Sequence, residues 1–171
     1  MTSGQPLDVL IREARTSDVT TIRALVDTYA AERILLSKAT VTLFEDVQEF
    51  YVAEVDGEMV GCGALHVLWE DLAEVRTLAV DPRVRGRGIG HLLLERLLRQ
   101  ARDVGVTRLF TLTFEVDFFM RHGFAEIDGT PVSHDVFEQL LQSYDEGVAE
   151  FLGLERVKPN TLGNSRMLLV L

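Results

Sequence analysis

The residue order predicts an α/β fold, a mixed sheet with helices on both faces, built as a single domain over residues 1–171. Three observations predict it. Short apolar runs of strand length alternate with segments of helical periodicity along most of the chain. Two of those runs meet at Asp56-Gly57, a dipeptide that favours a tight hairpin. An apolar run, Val75 to Val80, passes through the glycine-rich stretch Arg85-Gly86-Arg87-Gly88-Ile89-Gly90 into a strongly amphipathic helix.

The elements follow in order. Leu7 to Ala14 reads as a first strand. Thr16 or Ser17 then caps a helix whose apolar positions Val19, Ile22, Leu25, Val26 and Tyr29 recur at helical spacing. A short helix covers Val41 to Glu49, and Phe50 to Val55 and Met59 to Val67 are the hairpin strands. Leu72 to Val80 is the next strand, closed by Asp81-Pro82. The helix after the turn runs to Val104 with Ile89, Leu92, Leu93, Leu97, Ala101 and Val104 on one face. Arg108 to Phe114 is a fifth strand, Val116 to Arg121 a short helix, and Phe124 to Ile127 a sixth strand. Asp135 to Phe151 reads as one helix capped by Ser133 or Asp135, and Ser165 to Leu171 as a terminal seventh strand. Leu154 to Asn164 is a loop and a candidate lid over a substrate.

Composition narrows the function. With 47% apolar residues among 171, and no long uncharged apolar run, the chain predicts a globular core and no membrane span. Met1 to Pro6 is polar and lacks the apolar stretch of a secretory leader, so a cytoplasmic location is expected. The single cysteine, Cys62, excludes an internal disulfide and a cysteine-based metal site; between Gly61 and Gly63 in a strand pattern it reads as a packed thiol. No metal is expected. A net charge of −10 argues against nucleic acid or an anionic membrane as partner. A homodimer stays open. Yet arginines 76, 83, 85, 87, 96, 99, 102 and 108 gather around the glycine stretch and its helix. Arg96, Arg99 and Arg102 read as a solvated helix face, whereas Arg85 and Arg87 lie on the turn itself.

Strand, glycine turn and helix start together predict an anion cradle. The first N–H groups of a helix lack intrahelical partners, the dipole adds positive potential, and glycines let a phosphate approach the main chain. A Walker loop would need Lys-Ser/Thr where His91-Leu92 follows Gly90. A dinucleotide fingerprint would need glycine at His91. The remaining match is Arg85-x-x-Gly88-x-Gly90, of the form Arg/Gln-x-x-Gly-x-Gly/Ala. With its lead-in Leu78-Ala79-Val80-Asp81-Pro82, it resembles the GNAT acetyltransferase superfamily, whose motif of this form binds the pyrophosphate of acetyl-CoA.

That resemblance implies the GNAT fold: a mostly antiparallel mixed sheet of about seven strands. It implies acetyl-CoA as co-substrate, held by Arg85, Gly86, Arg87, Gly88, Ile89 and Gly90, with the pantetheine arm paired to the main chain of Leu78, Ala79 and Val80. One of those N–H groups would polarise the thioester carbonyl. Several members carry a glutamate where Glu74 stands, acting as a base directly or through water. Strand alternation puts Glu74, Arg76, Leu78 and Val80 on one face; an ion pair between Glu74 and Arg76 is the competing reading. Phe118-Phe119-Met120-Arg121-His122-Gly123-Phe124 resembles the second signature, Phe-Tyr-x-x-x-Gly-Phe. Phe119 replaces the tyrosine that protonates the departing thiolate, so its ring is expected to pack on the pantetheine. Water, Thr113 or Ser165 then supplies the proton.

The resemblance extends to the acetyltransferase domain of N-acetylglutamate synthases. It rests on Ile11-Arg12-Glu13-Ala14, Ile34-Leu35-Leu36-Ser37-Lys38, Leu109-Phe110-Thr111-Leu112-Thr113 and a tail of the form Asn-x-x-x-x-Ser-Lys/Arg, here Asn160 to Arg166. Carried over, Lys38 and Ser165 hold the carboxylates of an acidic amino acid, Arg76 adds a cation, and Thr113 lies with them. An arginine expected two residues before the tail serine is Gly163 here, and the segment Gly129 to Val157 matches poorly. The implied reaction is acetylation of the α-amine of a small amino acid, L-glutamate first and L-glutamine as the looser option, the opening step of arginine biosynthesis. A protein or peptide acetyltransferase and a non-catalytic acetyl-CoA sensor are the alternatives.

Overall fold

The computed structural model describes residues 5–31, 39–154 and 163–171. Among them are strands β1 (Val9–Glu13), β2 (Phe50–Val55), β3 (Glu58–Trp69), β4 (Leu72–Val80), β5 (Arg108–Thr113), β6 (Ala125–Glu126) and β7 (Ser165–Val170). The α-helices are α1 (Val19–Ala31), α2 (Thr40–Glu45), α3 (Ile89–Val104), α4 (Val116–Arg121), α5 (His134–Leu140) and α6 (Glu146–Leu152). The sheet runs β1-β2-β3-β4-β5-β7-β6. Its β1–β2, β2–β3, β5–β7 and β6–β7 pairs are antiparallel and β4–β5 is parallel, so the expected mixed, mostly antiparallel seven-stranded sheet is found.

The chain divides into two compact units, residues 1–66 with 75–103, and residues 67–74 with 104–171. In the first, helices cover both faces. Val19, Ile22, Leu25, Val26 and Tyr29 of α1 bury against Val52, Cys62, Ala64 and Ala79, so the helical spacing identified the buried stripe. On the opposite face, α3 approaches β3 closely because Gly61 and Gly63 carry no side chain. A Cβ on Gly61 would lie 3.0 Å from Leu93 Cδ1, and one on Gly63 3.0 Å from both Leu78 Cδ1 and Leu97 Cδ1. The buried stripe of α3 is Ile89, Leu93, Leu94, Leu97 and Ala101. Leu92 and Val104, expected inside, are 37% and 49% exposed, and Leu94 takes the inner position.

The second unit packs Leu72 and Phe110 against Leu140, Val148, Phe151 and Leu152. Phe110 meets Phe151 edge to face at 4.8 Å, a favoured aromatic geometry. The single helix expected over Asp135 to Phe151 is two. Ser143 Oγ accepts from the Asp145 N–H at 3.1 Å, and Asp145 Oδ1 accepts from the Val148 N–H at 2.9 Å. These short polar side chains bond the local backbone and start a new helix instead of continuing the old one. Ser133 caps α5 as expected, accepting from the Val136 N–H.

Two further corrections concern α1 and β4. Neither Thr16 nor Ser17 caps α1; they begin a 3-10 turn, Thr16–Asp18, in which the Asp18 carboxylate accepts from the Arg15 N–H at 2.7 Å. Arg12 donates to the same carboxylate at 2.8 and 2.9 Å and to Glu54 at 2.8 Å, tying β1, the turn and β2 together. In β4, Thr77 has φ of 54°, a left-handed backbone that interrupts the pleat. The alternation that placed Glu74, Arg76, Leu78 and Val80 on one face therefore stops at Thr77.

Arg12, through its hydrogen bonds, holds the Asp18 carboxyl below the usual aspartate range. A depressed folded pKa contributes stability that is present above the unfolded value of about 3.9 and is lost as pH falls through the folded value. Asp18→Asn is expected to lower unfolding free energy at pH 7 by roughly 1–3 kcal/mol and to flatten the loss of stability below about pH 4. Denaturant melts of both proteins at pH 7 and pH 3 measure this.

Candidate active site

The glycine stretch lies in the first unit. Asp81 ends β4 and shapes the entry: its carboxylate accepts from the Arg83 N–H at 2.9 Å, and Pro82–Val84 forms one 3-10 turn. The Arg83 guanidinium reaches back to Asp81 and on to Glu58 Oε1 at 2.7 Å. Those bonds hold the Asp81 carboxyl below its ordinary range. Arg83 is thus engaged in building the turn, while Arg85, Gly86, Arg87 and Gly88 are exposed.

Gly86 and Gly88 have φ of 75° and 84°, conformations in which L side chains are strained. A Cβ at either position would meet no atom within 4 Å, so the backbone faces open space. The first bond of α3 runs from the Leu92 N–H to the Gly88 carbonyl at 3.1 Å. The N–H groups of Ile89, Gly90 and His91 therefore precede the first intrahelical donor, as at any helix start. Helix dipole, forward-facing amides and the Arg85 and Arg87 side chains make a site suited to a phosphate or diphosphate.

The end of β4 has a defined orientation. The Asp81 N–H donates to the Val60 carbonyl at 2.7 Å, and the Ala79 carbonyl oxygen lies 3.3 Å from where a Gly61 Cβ would be. Ala79 and Asp81 thus turn their main chain toward β3. In an extended strand the intervening residues turn theirs to the other edge, so Leu78 and Val80 point N–H and C=O away from β3. Within the second unit, Leu72–Glu74 share a parallel register with β5. Tyr29 of α1, which the sequence reading treated purely as core, donates its hydroxyl to the Val80 carbonyl. The Arg85 guanidinium sits over the Tyr29 ring at 5.6 Å. Arg96 departs from the solvated face expected for it: it is half-buried over the Tyr51 ring at 4.3 Å.

Arg76 is buried in this first unit. Lys38 lies outside the described residues, as do all but Leu154, Gly163 and Asn164 of the candidate lid.

In the second unit, Glu74 is 4% exposed, in register with Phe110 across the parallel β4–β5 pair. Its charge acts on Arg166, whose guanidinium pKa burial pushes down while Glu74 opposes the fall. Arg166 donates to the Gly129 carbonyl at 2.8 Å and the Phe151 carbonyl at 2.6 Å, and stacks over Phe110 at 4.9 Å. It pins the segment after β6 and the end of α6, whose final carbonyls suit a cation. The tail pattern named Arg166 but gave it no role; its neighbour Ser165 drew the attention.

Thr113 and Ser165 are direct register partners across β5–β7, so the two hydroxyl-bearing positions do come together. Thr113 Oγ1 accepts from the Glu115 N–H at 2.8 Å and keeps its own proton to donate. Phe119 is 4% exposed, edge-on to Phe118 at 5.2 Å and to Phe124 at 5.1 Å.

Comparison with known proteins gives this geometry its context. Residues 11–124 match the Acetyltransferase (GNAT) family. An amino-acid acetyltransferase of Mycobacterium tuberculosis is 63% identical over 165 residues, 95% of this chain and 94% of the relative. A Mycobacterium tuberculosis crystal structure in complex with CoA and NLQ has a TM-score of 0.91 at 63% identity, covering 95% of this chain and 99% of the other. N-acetylglutamate synthase from Neisseria gonorrhoeae, complexed with coenzyme A and N-acetyl-glutamate, has a TM-score of 0.77 at 25% identity, covering 98% of this chain but 36% of the larger one. The matched residues include β4, the glycine turn and α3, the elements that form the anion cradle, and the chain belongs to the GNAT acetyltransferase family.

Proposed function

We propose that this chain, as one catalytic domain over residues 1–171 in the cytoplasm, transfers the acetyl group of acetyl-CoA to the α-amine of L-glutamate, with L-glutamine as the nearest alternative acceptor. The observation that carries the reading is the end of β4. Leu78 and Val80 turn their main-chain donors and acceptors away from β3, and the strand leads directly into the exposed glycine turn. A pantetheine arm can pair there as an added strand while its pyrophosphate meets the amides of Gly86 to Gly90. The Mycobacterium tuberculosis structure with CoA and the Neisseria gonorrhoeae complex with N-acetyl-glutamate support the cofactor and the acceptor respectively.

In this reading Glu74 takes a proton from the substrate ammonium, directly or through water. The freed amine attacks the thioester carbonyl, whose oxygen develops negative charge beside a β4 N–H. Collapse of the tetrahedral species breaks the C–S bond and releases the CoA thiolate, which takes a proton from water or from the Thr113 or Ser165 hydroxyl. Phe119 has no proton to give and serves by packing. Lys38, Arg76, Ser165 and Thr113 hold the amino acid, the cations selecting for carboxylate.

A thiol-release assay over a panel of free amino acids tests the acceptor. Release with glutamate or glutamine above all others is expected; release only with peptides, or with nothing, contradicts the proposal. Lys38→Ala and Arg76→Ala are expected to raise the amino-acid KM about tenfold or more with little change in the acetyl-CoA KM.

Gly88→Ala separates fold from ligand. No atom obstructs the new methyl group, so the cost to stability is the left-handed backbone alone, about 1–2 kcal/mol. CoA affinity should fall further, by about tenfold or more, because the methyl group stands where the phosphate approaches. Calorimetric titration with CoA alongside a thermal melt distinguishes the two effects.

A further inference from the structure

Resting on the reading of the glycine turn and β4 edge as the CoA site, the structure assigns Tyr29 as a positioning residue that couples the pantetheine edge to the diphosphate turn. Tyr29 stands in the last turns of α1, with its ring buried in the core beside Ala79. Its hydroxyl donates to the Val80 carbonyl. Its ring carries the Arg85 guanidinium at 5.6 Å. One side chain therefore touches the last peptide of the strand and the first basic residue of the cradle, at Val80 and Arg85.

The two contacts do different work. The Val80 carbonyl faces the edge away from β3, and a carbonyl oxygen offers two lone pairs. The Tyr29 hydroxyl uses one and fixes the peptide plane, leaving the second for an amide N–H of the arm. Without that anchor, the Val80 peptide is less constrained, because the bond to β3 at this end is made by the next residue, through the Asp81 N–H. The ring, in contrast, acts on Arg85. Arg85 is exposed, and resting on an aromatic face restricts its side chain before it meets a phosphate. Hydroxyl and ring can be removed separately, which makes the assignment testable.

The experiment is calorimetric titration of the full chain with CoA, which spans strand edge and turn, and with ADP, which carries the diphosphate alone. Tyr29→Phe keeps the ring and is expected to weaken CoA about five- to tenfold, the effect of one lost hydrogen bond, while leaving ADP unchanged. Tyr29→Leu removes both contacts and is expected to weaken ADP as well as CoA. A thermal melt of each variant reports packing independently. If Tyr29→Phe binds CoA as tightly as the wild type, whatever its melting temperature, Tyr29 only packs and the assignment is overturned. Equal weakening of CoA and ADP by Tyr29→Phe also overturns it, because the hydroxyl would not be acting at the strand edge. A wild-type chain that gives no heat with CoA instead defeats the CoA reading itself, and this inference falls with it.

Discussion

The hydrogen-bonding edge of β4 is the constraint on which the rest of the site depends. From Leu72 to Glu74 that edge is closed by the parallel register with β5. At Thr77 the backbone turns left-handed, and by Leu78 the strand is anchored on the β3 side, with Asp81 bonded to Val60. The edge runs only to Val80 before Asp81-Pro82 diverts the chain, long enough for a peptide-like ligand. The amides of the pantetheine arm have the spacing of such a partner, and the glycine turn stands at the end where its phosphates would arrive.

Several side chains hold that edge in place, and they come from different parts of the sequence. Gly61 and Gly63 let α3 lie close to β3, which sets where the first turn of the helix begins. Cys62, between them, turns the other way and donates its thiol to the Thr77 carbonyl at 3.4 Å, at the residue where the pleat breaks. Glu58 and Asp81 share Arg83, closing the near side of the turn. Each interaction is small, the exposed charges being screened by water, but together they fix a backbone rather than a side chain. A main-chain cradle needs that kind of support, since it cannot adjust a rotamer to meet its ligand.

Much of this was legible in the sequence. Apolar periodicity found the buried stripe of α1, and β2, β4 and α4 have the boundaries their residues suggested. The Arg85-x-x-Gly88-x-Gly90 pattern marked the turn because its meaning is local: Gly88 has positive φ and Gly90 lies in the first turn of α3. What the sequence concealed was non-local or exceptional. Thr77 is β-branched and reads as ordinary strand; only the structure places it in a conformation such residues rarely adopt. Tyr29 fits the helical core pattern so well that its hydroxyl drew no notice, although a buried tyrosine usually needs a partner for that group. Arg166 and the break between α5 and α6 share one cause. Ser143 and Asp145 settle where the helix restarts, Arg166 holds the Phe151 carbonyl near its end, and no periodicity records such bonds.

The charge balance adds a last step. A chain of net charge −10 would repel a polyanion such as CoA if charge acted uniformly. It does not, because at cellular ionic strength exposed charges farther away than about 8 Å are largely screened. What the ligand meets at contact distance is the N-terminal end of α3, the amides of the turn, Arg85 and Arg87. Two carboxylates beside the entry to the turn, Asp81 and Glu58, are paired with Arg83. This makes Arg83 more than a structural brace: by occupying both carboxylates it offsets the negative charge at the entry to the turn, and helps a negatively charged protein keep one locally positive cradle.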